Sequence, residues 1–225
     1  MSLAQQDLYS IGLGERDRLN KELGGGLPPG SIVLVEGEYG AGKSAMSQRF
    51  SYGLCEEGTM VSLLSTELTV GSFLEQMHSL DYDMVDHMLD ENILYLHAAI
   101  GDSKNTFTMD DDGEDDRKEL LRRLMEAEVM WDSDVIIVDT FDAILRNDPK
   151  FEALVRQNEE RQAALEIISF FRDIISEGKV VILTVDPTTL DEEALGPFRS
   201  IADVFIELEM VEVGNETRRQ INVLR

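Results

Sequence analysis

Residues 37–44 read GEYGAGKS, and the types and spacing of Gly37, Gly42, Lys43 and Ser44 suit a loop that holds a phosphate chain. Glycines let the backbone curl so that successive N–H groups converge on phosphate oxygens, at the positive end of the helix predicted to follow. The cradle so defined is Gly37, Glu38, Tyr39, Gly40, Ala41, Gly42, Lys43, Ser44 and Ala45. Lys43 would reach the β- and γ-phosphates of a nucleoside triphosphate such as ATP, and the Ser44 hydroxyl would ligate Mg²⁺. Far along the chain, VIIVDT places Asp139 at the end of an apolar run, where a carboxylate could hold the water shell of the same ion.

Hydrolysis demands more: a group that activates water and positive charge to meet the transition state. Glu67, in LLSTELT, is the candidate base; the alternative is an exposed acid at a strand end. Thr184 and Asp186, in ILTVDPTTL, are candidate sensors of the terminal phosphate, and Lys43 is a catalytic candidate through the same phosphate. Arg218, Arg219 and Arg225 gather positive charge near the end of the sequence. They either reach a neighbouring subunit's phosphates or are solvated strand residues.

These residues need elements to position them. A short helix is predicted around residues 15–22, followed by dense turn chemistry at Gly24, Gly25, Gly26, Pro28, Pro29 and Gly30. SIVLVEG reads as a strand buried on both faces, and residues 43–58 as a helix. Strands at MVSLLSTE, NILYLHAAI, DVIIVDT and KVVILTV alternate with helices over residues 69–80, 117–130 and 162–178; in the last, Leu165, Ile168, Phe171, Ile174 and Ile175 recur at helical spacing. Residues 102–117 are an acid-rich excursion without a core pattern. SIADVFIELEMVEV and RRQINVL, joined by GNET, form a closing hairpin. The alternation predicts one α/β domain over residues 1–225, with a mainly parallel sheet covered by helices on both faces and a C-terminal antiparallel hairpin.

The 225 residues carry 45 acidic against 20 basic side chains, a formal charge of −25. Such a surface repels nucleic acid and anionic membrane unless basic residues cluster. An acidic face for a basic partner is one source of that charge. Adaptation to high salt, where screening removes self-repulsion, is the other, and it suits acids scattered through every segment. With Cys55 as the single cysteine, neither an intrachain disulfide nor a thiolate metal cluster can form. His78, His87 and His97 lack ligand spacing. No apolar run approaches the roughly 18 residues of a spanning helix, and the first residues lack a signal-peptide pattern, so an intracellular protein without membrane insertion is expected.

GLGERDRLNKELGGGLPPGSIVLVEGEYGAGKS resembles the opening of the RecA/KaiC-like P-loop ATPases, and SIADVFIELE with its hairpin fits their closing region. A single domain, STELT after the second strand and LTVDPTTL are most similar to the KaiC-like ATPase subunits of the archaellum, the archaeal flagellum motor. The resemblance implies a RecA-like core and Mg-ATP binding. It also implies a homo-oligomeric ring, a hexamer, that docks on the motor's secretion-type ATPase and cytosolic scaffold proteins. The expected location is cytoplasmic, peripheral to the membrane-embedded motor, in a salt-adapted cell. Hydrolysing KaiC-like domains commonly carry two adjacent glutamates after the second strand, where this chain has Thr66 and Glu67; slow or absent turnover follows. Recombinases of the superfamily have a glycine-rich basic DNA loop, whereas LRNDPKFEALVRQNEERQ has no glycine and equal acids and bases. The reading is therefore a regulatory ATP-binding subunit. A RecA/RadA-like DNA-dependent ATPase and a KaiC-type signalling autokinase remain the alternatives.

Overall fold

The computed structural model describes residues 8–12, 18–98, 120–148, 151, 160–214 and 216–224. The acid-rich segment 102–117, most of the segment compared with a DNA loop, and Arg225 lie outside the described residues.

After a short helix α1 (Arg18–Glu22), the chain enters β1 (Ile32–Gly37), α2 (Lys43–Glu56) and β2 (Val61–Ser65). Helices α3 (Val70–Ser79) and α4 (Val85–Leu89) lead to β3 (Ile93–His97). Then come α5 (Leu120–Glu126), α6 (Glu128–Trp131), β4 (Val135–Asp139), α7 (Phe141–Asn147), α8 (Glu160–Ser176) and β5 (Val180–Val185). Helix α9 (Glu192–Ile201) precedes β6 (Val204–Val213) and β7 (Glu216–Val223).

The seven strands form one sheet in the order β3-β2-β4-β5-β1-β6-β7. Every neighbouring pair is parallel except β6 and β7, the expected antiparallel hairpin. Parallel strands need crossovers, and these cover both faces with helices. The central strands β1, β2, β4 and β5 are accordingly buried along their whole length. One face packs Phe141, Phe171 and Phe198 around a tilted and edge-on aromatic cluster with centroids 5.5–5.7 Å apart. The other packs Phe50, Leu54, Phe73 and Met77 against Val33 and Val35.

Three local expectations change. The helix predicted over residues 117–130 is two short helices, because Ala127 leaves helical geometry (φ −76°, ψ 69°). The Trp131 indole N–H donates to the Leu124 carbonyl at 2.8 Å, using an acceptor near the break. In α8, Leu165 is half exposed; Ile168 and Phe171 are buried and Ile174 and Ile175 pack against the core as expected, joined by Ala164 and Ile167. Residues 200–201, read as the start of the hairpin, close α9, a helix the sequence pattern did not signal because Gly196 and Pro197 interrupt it.

Candidate functional site

Parallel pairing brings the C-terminal ends of β1, β2, β4 and β5 to one edge. Ser65 pairs with Asp139, and Glu36 with Val185, so the strand-end residues of the motifs become neighbours. This is the edge where open α/β sheets form their ligand crevice.

The loop between β1 and α2 curls through Gly42 at φ 108°, a left-handed conformation that favours glycine, and Gly42 caps α2. Gly37 meets a steric limit: a Cβ there would lie 3.0 Å from the carbonyl oxygen and the Cβ of Leu208. Glu38, Tyr39 and Gly40 are exposed, with Tyr39 89% accessible. The Lys43 ammonium folds back along the loop. It donates to the Gly37 carbonyl at 2.7 Å and the Glu38 carbonyl at 3.3 Å, and lies 3.9 Å from the Asp186 carboxylate.

Asp139 is the hub below that lysine. Its Oδ1 accepts from Ser47 Oγ at 3.1 Å and from Thr184 Oγ1 at 2.8 Å. Burial pushes its carboxyl up, opposed by hydrogen bonds from Thr184, Ser44 and Ser47 and by the charge of Lys43. The fully buried Thr184 hydroxyl also accepts from the Thr140 N–H at 2.8 Å, so its hydrogen bonds face Asp139 and Thr140. Thr140 itself has φ 58°, a conformation costly for a β-branched residue, at about 1–3 kcal/mol. It turns the chain from β4 straight into α7, and its hydroxyl meets that of Thr66. Thr66 is thus a tie between the ends of β2 and β4.

Glu67 follows directly, its N–H donating to Ser65 Oγ at 3.3 Å. Partial desolvation and then the charge of Asp139 raise its carboxyl above the ordinary range, Lys43 opposes, and Asp142 adds to the rise. Burial raises the Asp186 carboxyl, yet hydrogen bonds from the Thr188 hydroxyl and N–H, the nearby Lys43 and the Tyr39 N–H bring it below its usual value. Asp142, buried at the start of α7, accepts from the Asp186 N–H at 3.2 Å and from Thr189 Oγ1 at 2.8 Å, which pins the segment after β5.

Of the hairpin arginines, Arg218 pairs with Glu216 at 3.1 Å. Arg219 leans onto the glycine-rich loop of its own chain, its Nε donating to the Gly40 carbonyl at 3.2 Å. Arg219 is otherwise an exposed residue of β7, as expected for a solvated strand arginine.

The structure therefore brings together Gly37, Lys43, Ser44, Asp139, Thr184 and Asp186. Sequence reading missed Ser47, Thr140 and Asp142; Ser47 had a signal, lying one helical turn beyond Lys43 on the same face.

A family model described as "ATPase: KaiC" matches residues 17–225. The archaeal flagellar ATP-binding protein FlaH of Methanocaldococcus jannaschii is 33% identical over 100% of this chain and 86% of its own. A crystal structure of flagellar accessory protein FlaH from that organism superposes with a TM-score of 0.79 at 30% identity, covering 97% of this chain and 88% of the other. A KaiC-like protein from Pyrococcus horikoshii shares the fold, with a TM-score of 0.70 at 18% identity over 98% of this chain and 88% of its own.

Proposed function

This chain belongs to the KaiC ATPase family, among the archaeal flagellar ATP-binding proteins of the FlaH group, and from that premise we propose that it is a nucleotide-controlled subunit of the archaellum motor. ATP, held with Mg²⁺ by residues 37–45, governs assembly into a ring and docking on the motor's secretion-type ATPase and scaffold proteins. Turnover is slow or absent and is not the main output.

The observation that carries this reading is the position of Lys43. Its ammonium is held by the Gly37 carbonyl and faced by Asp186, which Asp142 and Thr188 tie into the segment after β5. Phosphates entering the cradle compete for that ammonium. Nucleotide affinity is thereby linked to the placement of residues 186–189 and, through Arg219 on Gly40, to the terminal hairpin. A ligand shifts an equilibrium by its differential affinity for two states, and competition for Lys43 supplies such a difference.

The donor set suits a hard divalent cation: the Ser44 hydroxyl and the Asp139 carboxylate are oxygen ligands of the kind Mg²⁺ accepts, directly or through water. When bound, Mg²⁺ would neutralise charge on the β- and γ-phosphates. Among the described residues no helix is long and apolar enough to cross a membrane, so attachment to the motor is proposed to run through protein contacts. The DNA-dependent ATPase and autokinase alternatives have no observation of their own among the described residues.

Titration with a fluorescent ATP analogue in Mg²⁺, followed by size-exclusion chromatography and capture of the motor ATPase, tests the proposal. The unmodified protein should bind, assemble and dock in a nucleotide-dependent way, whereas Lys43→Ala should lose all three. Tight ATP binding by Lys43→Ala would overturn the assignment of the loop. Binding without any change in assembly or docking would overturn the regulatory role.

A further inference from the structure

Gln48 lies on α2, next to Ser47, and is buried. The residue is 2% exposed, and neither its amide nitrogen nor its amide oxygen has a hydrogen-bond partner. A buried primary amide can make several hydrogen bonds, and leaving all of them unmade is unfavourable enough to be rare. The apolar residues that surround α2 would be satisfied by leucine or methionine at this position, so packing alone does not account for glutamine.

Gln48 lines a slot of about 10 Å³ together with the polar Ser44, Ser47, Ser65, Tyr95 and Asp139 and the apolar Leu63, Leu68 and Phe73. That is about the smallest volume that holds one water molecule, and the polar side chains in its lining are the candidates for the two to four partners such a water needs. Two networks end on this slot. On one side Ser47 donates to Asp139, the carboxylate placed for the metal. On the other, Ser65 Oγ accepts from the N–H groups of Glu67 and Leu68, both at 3.3 Å, and the Tyr95 hydroxyl donates to the Leu68 carbonyl at 2.6 Å.

We infer that Gln48 holds a buried water molecule that bridges the Asp139 side of the site to the Ser65–Leu68 turn carrying Glu67. Gln48 is thus a positioning residue: it touches neither nucleotide nor metal, and acts by fixing the carboxylate on one side and the turn on the other. Bonded partners beyond the ligands of a metal commonly set its affinity. The water site rests on the slot and the unpaired amide; only its effect on Mg²⁺ rests on the ATP-binding reading above.

A crystal structure at a resolution that shows ordered water should place one within hydrogen-bond distance of the Gln48 amide and of Ser65 or Asp139. An amide bonded only to protein atoms would overturn the inference. Gln48→Met keeps the length of the side chain and removes its hydrogen bonds. In titrations of the ATP-analogue complex it should weaken Mg²⁺ affinity about 10-fold, the lower end for such partners, and leave nucleotide affinity in EDTA unchanged. Equal losses with and without Mg²⁺ would signal a purely structural role and refute the bridge, as would an unaltered Mg²⁺ dependence. Should the unmodified protein bind no nucleotide, the proposed function fails, while the crystallographic water still decides this inference.

Discussion

At the scale of single residues, Glu67 is the candidate base whose removal would separate binding from any hydrolysis. A general base must be unprotonated to work. Because its carboxyl is raised above the ordinary glutamate range, first by desolvation and then by Asp139, any turnover it supports should increase with pH through that raised value and level off above it. Glu67→Gln should remove this limb of the pH profile and lower phosphate release about 100-fold, in line with the usual contribution of general-base catalysis. Nucleotide affinity should stay as it was. A mutant with the original rate and pH profile would exclude Glu67 as the base. Thr66 cannot share the task, since a hydroxyl does not titrate near neutral pH, and its contact with Thr140 gives it a positional role.

At the scale of elements, α9 is fastened to β1, the strand before the glycine-rich loop, by an ion pair. Arg199 donates through Nε and Nη2 to the two carboxylate oxygens of Glu36 at 2.7 and 2.8 Å, and through Nη1 to Glu192 at 2.7 Å. The Glu36 side chain is 4% exposed, so removing its partner leaves a buried charge uncompensated. Arg199→Ala should destabilise the fold by about 3 kcal/mol in urea unfolding, and pairing it with Glu36→Gln should recover part of the loss. No recovery in the double mutant would show that the arginine acts by packing alone. This pair also marks the limit of what the sequence discloses. The strand-helix alternation, the loop and Asp139 were readable because their signals are local: apolar runs, glycine spacing and an acid at a strand end. Glu36 and Arg199 stand 163 positions apart, and nothing local announces that they meet. Gln48 reads as an ordinary helix residue until the slot beneath it is seen, and α9 was hidden by a proline inside a helix. Arg219 was noticed as a charge, but only the register of β7 on β6 places it over Gly40.

At the scale of the whole molecule, the net charge of −25 makes the folded state repel itself. Raising salt from about 0.1 M to about 1 M shortens the Debye length from about 10 Å to about 3 Å and removes most of that repulsion. The melting temperature should therefore climb by about 5 °C or more over this range of KCl, followed by circular dichroism. A flat response would argue against salt adaptation and return attention to an acidic face for a basic partner. The sheet order has a further consequence. Strand β1, which leads into the glycine-rich loop, sits between β5 and β6, whose residues lie about 150–170 positions further along the sequence; even the Ile32 N–H finds its acceptor on Asp203, at 3.0 Å. During synthesis β1 leaves the ribosome before β5 and β6, so neither of its native pairings can form until Val180 and its successors emerge. Such long-range pairing is slow to form, and exposed strand edges invite misassembly in the interval. The loop at residues 37–44 consequently acquires its native setting only after residues 180–208 have been made, so any ligand it holds can secure that setting but cannot template it earlier.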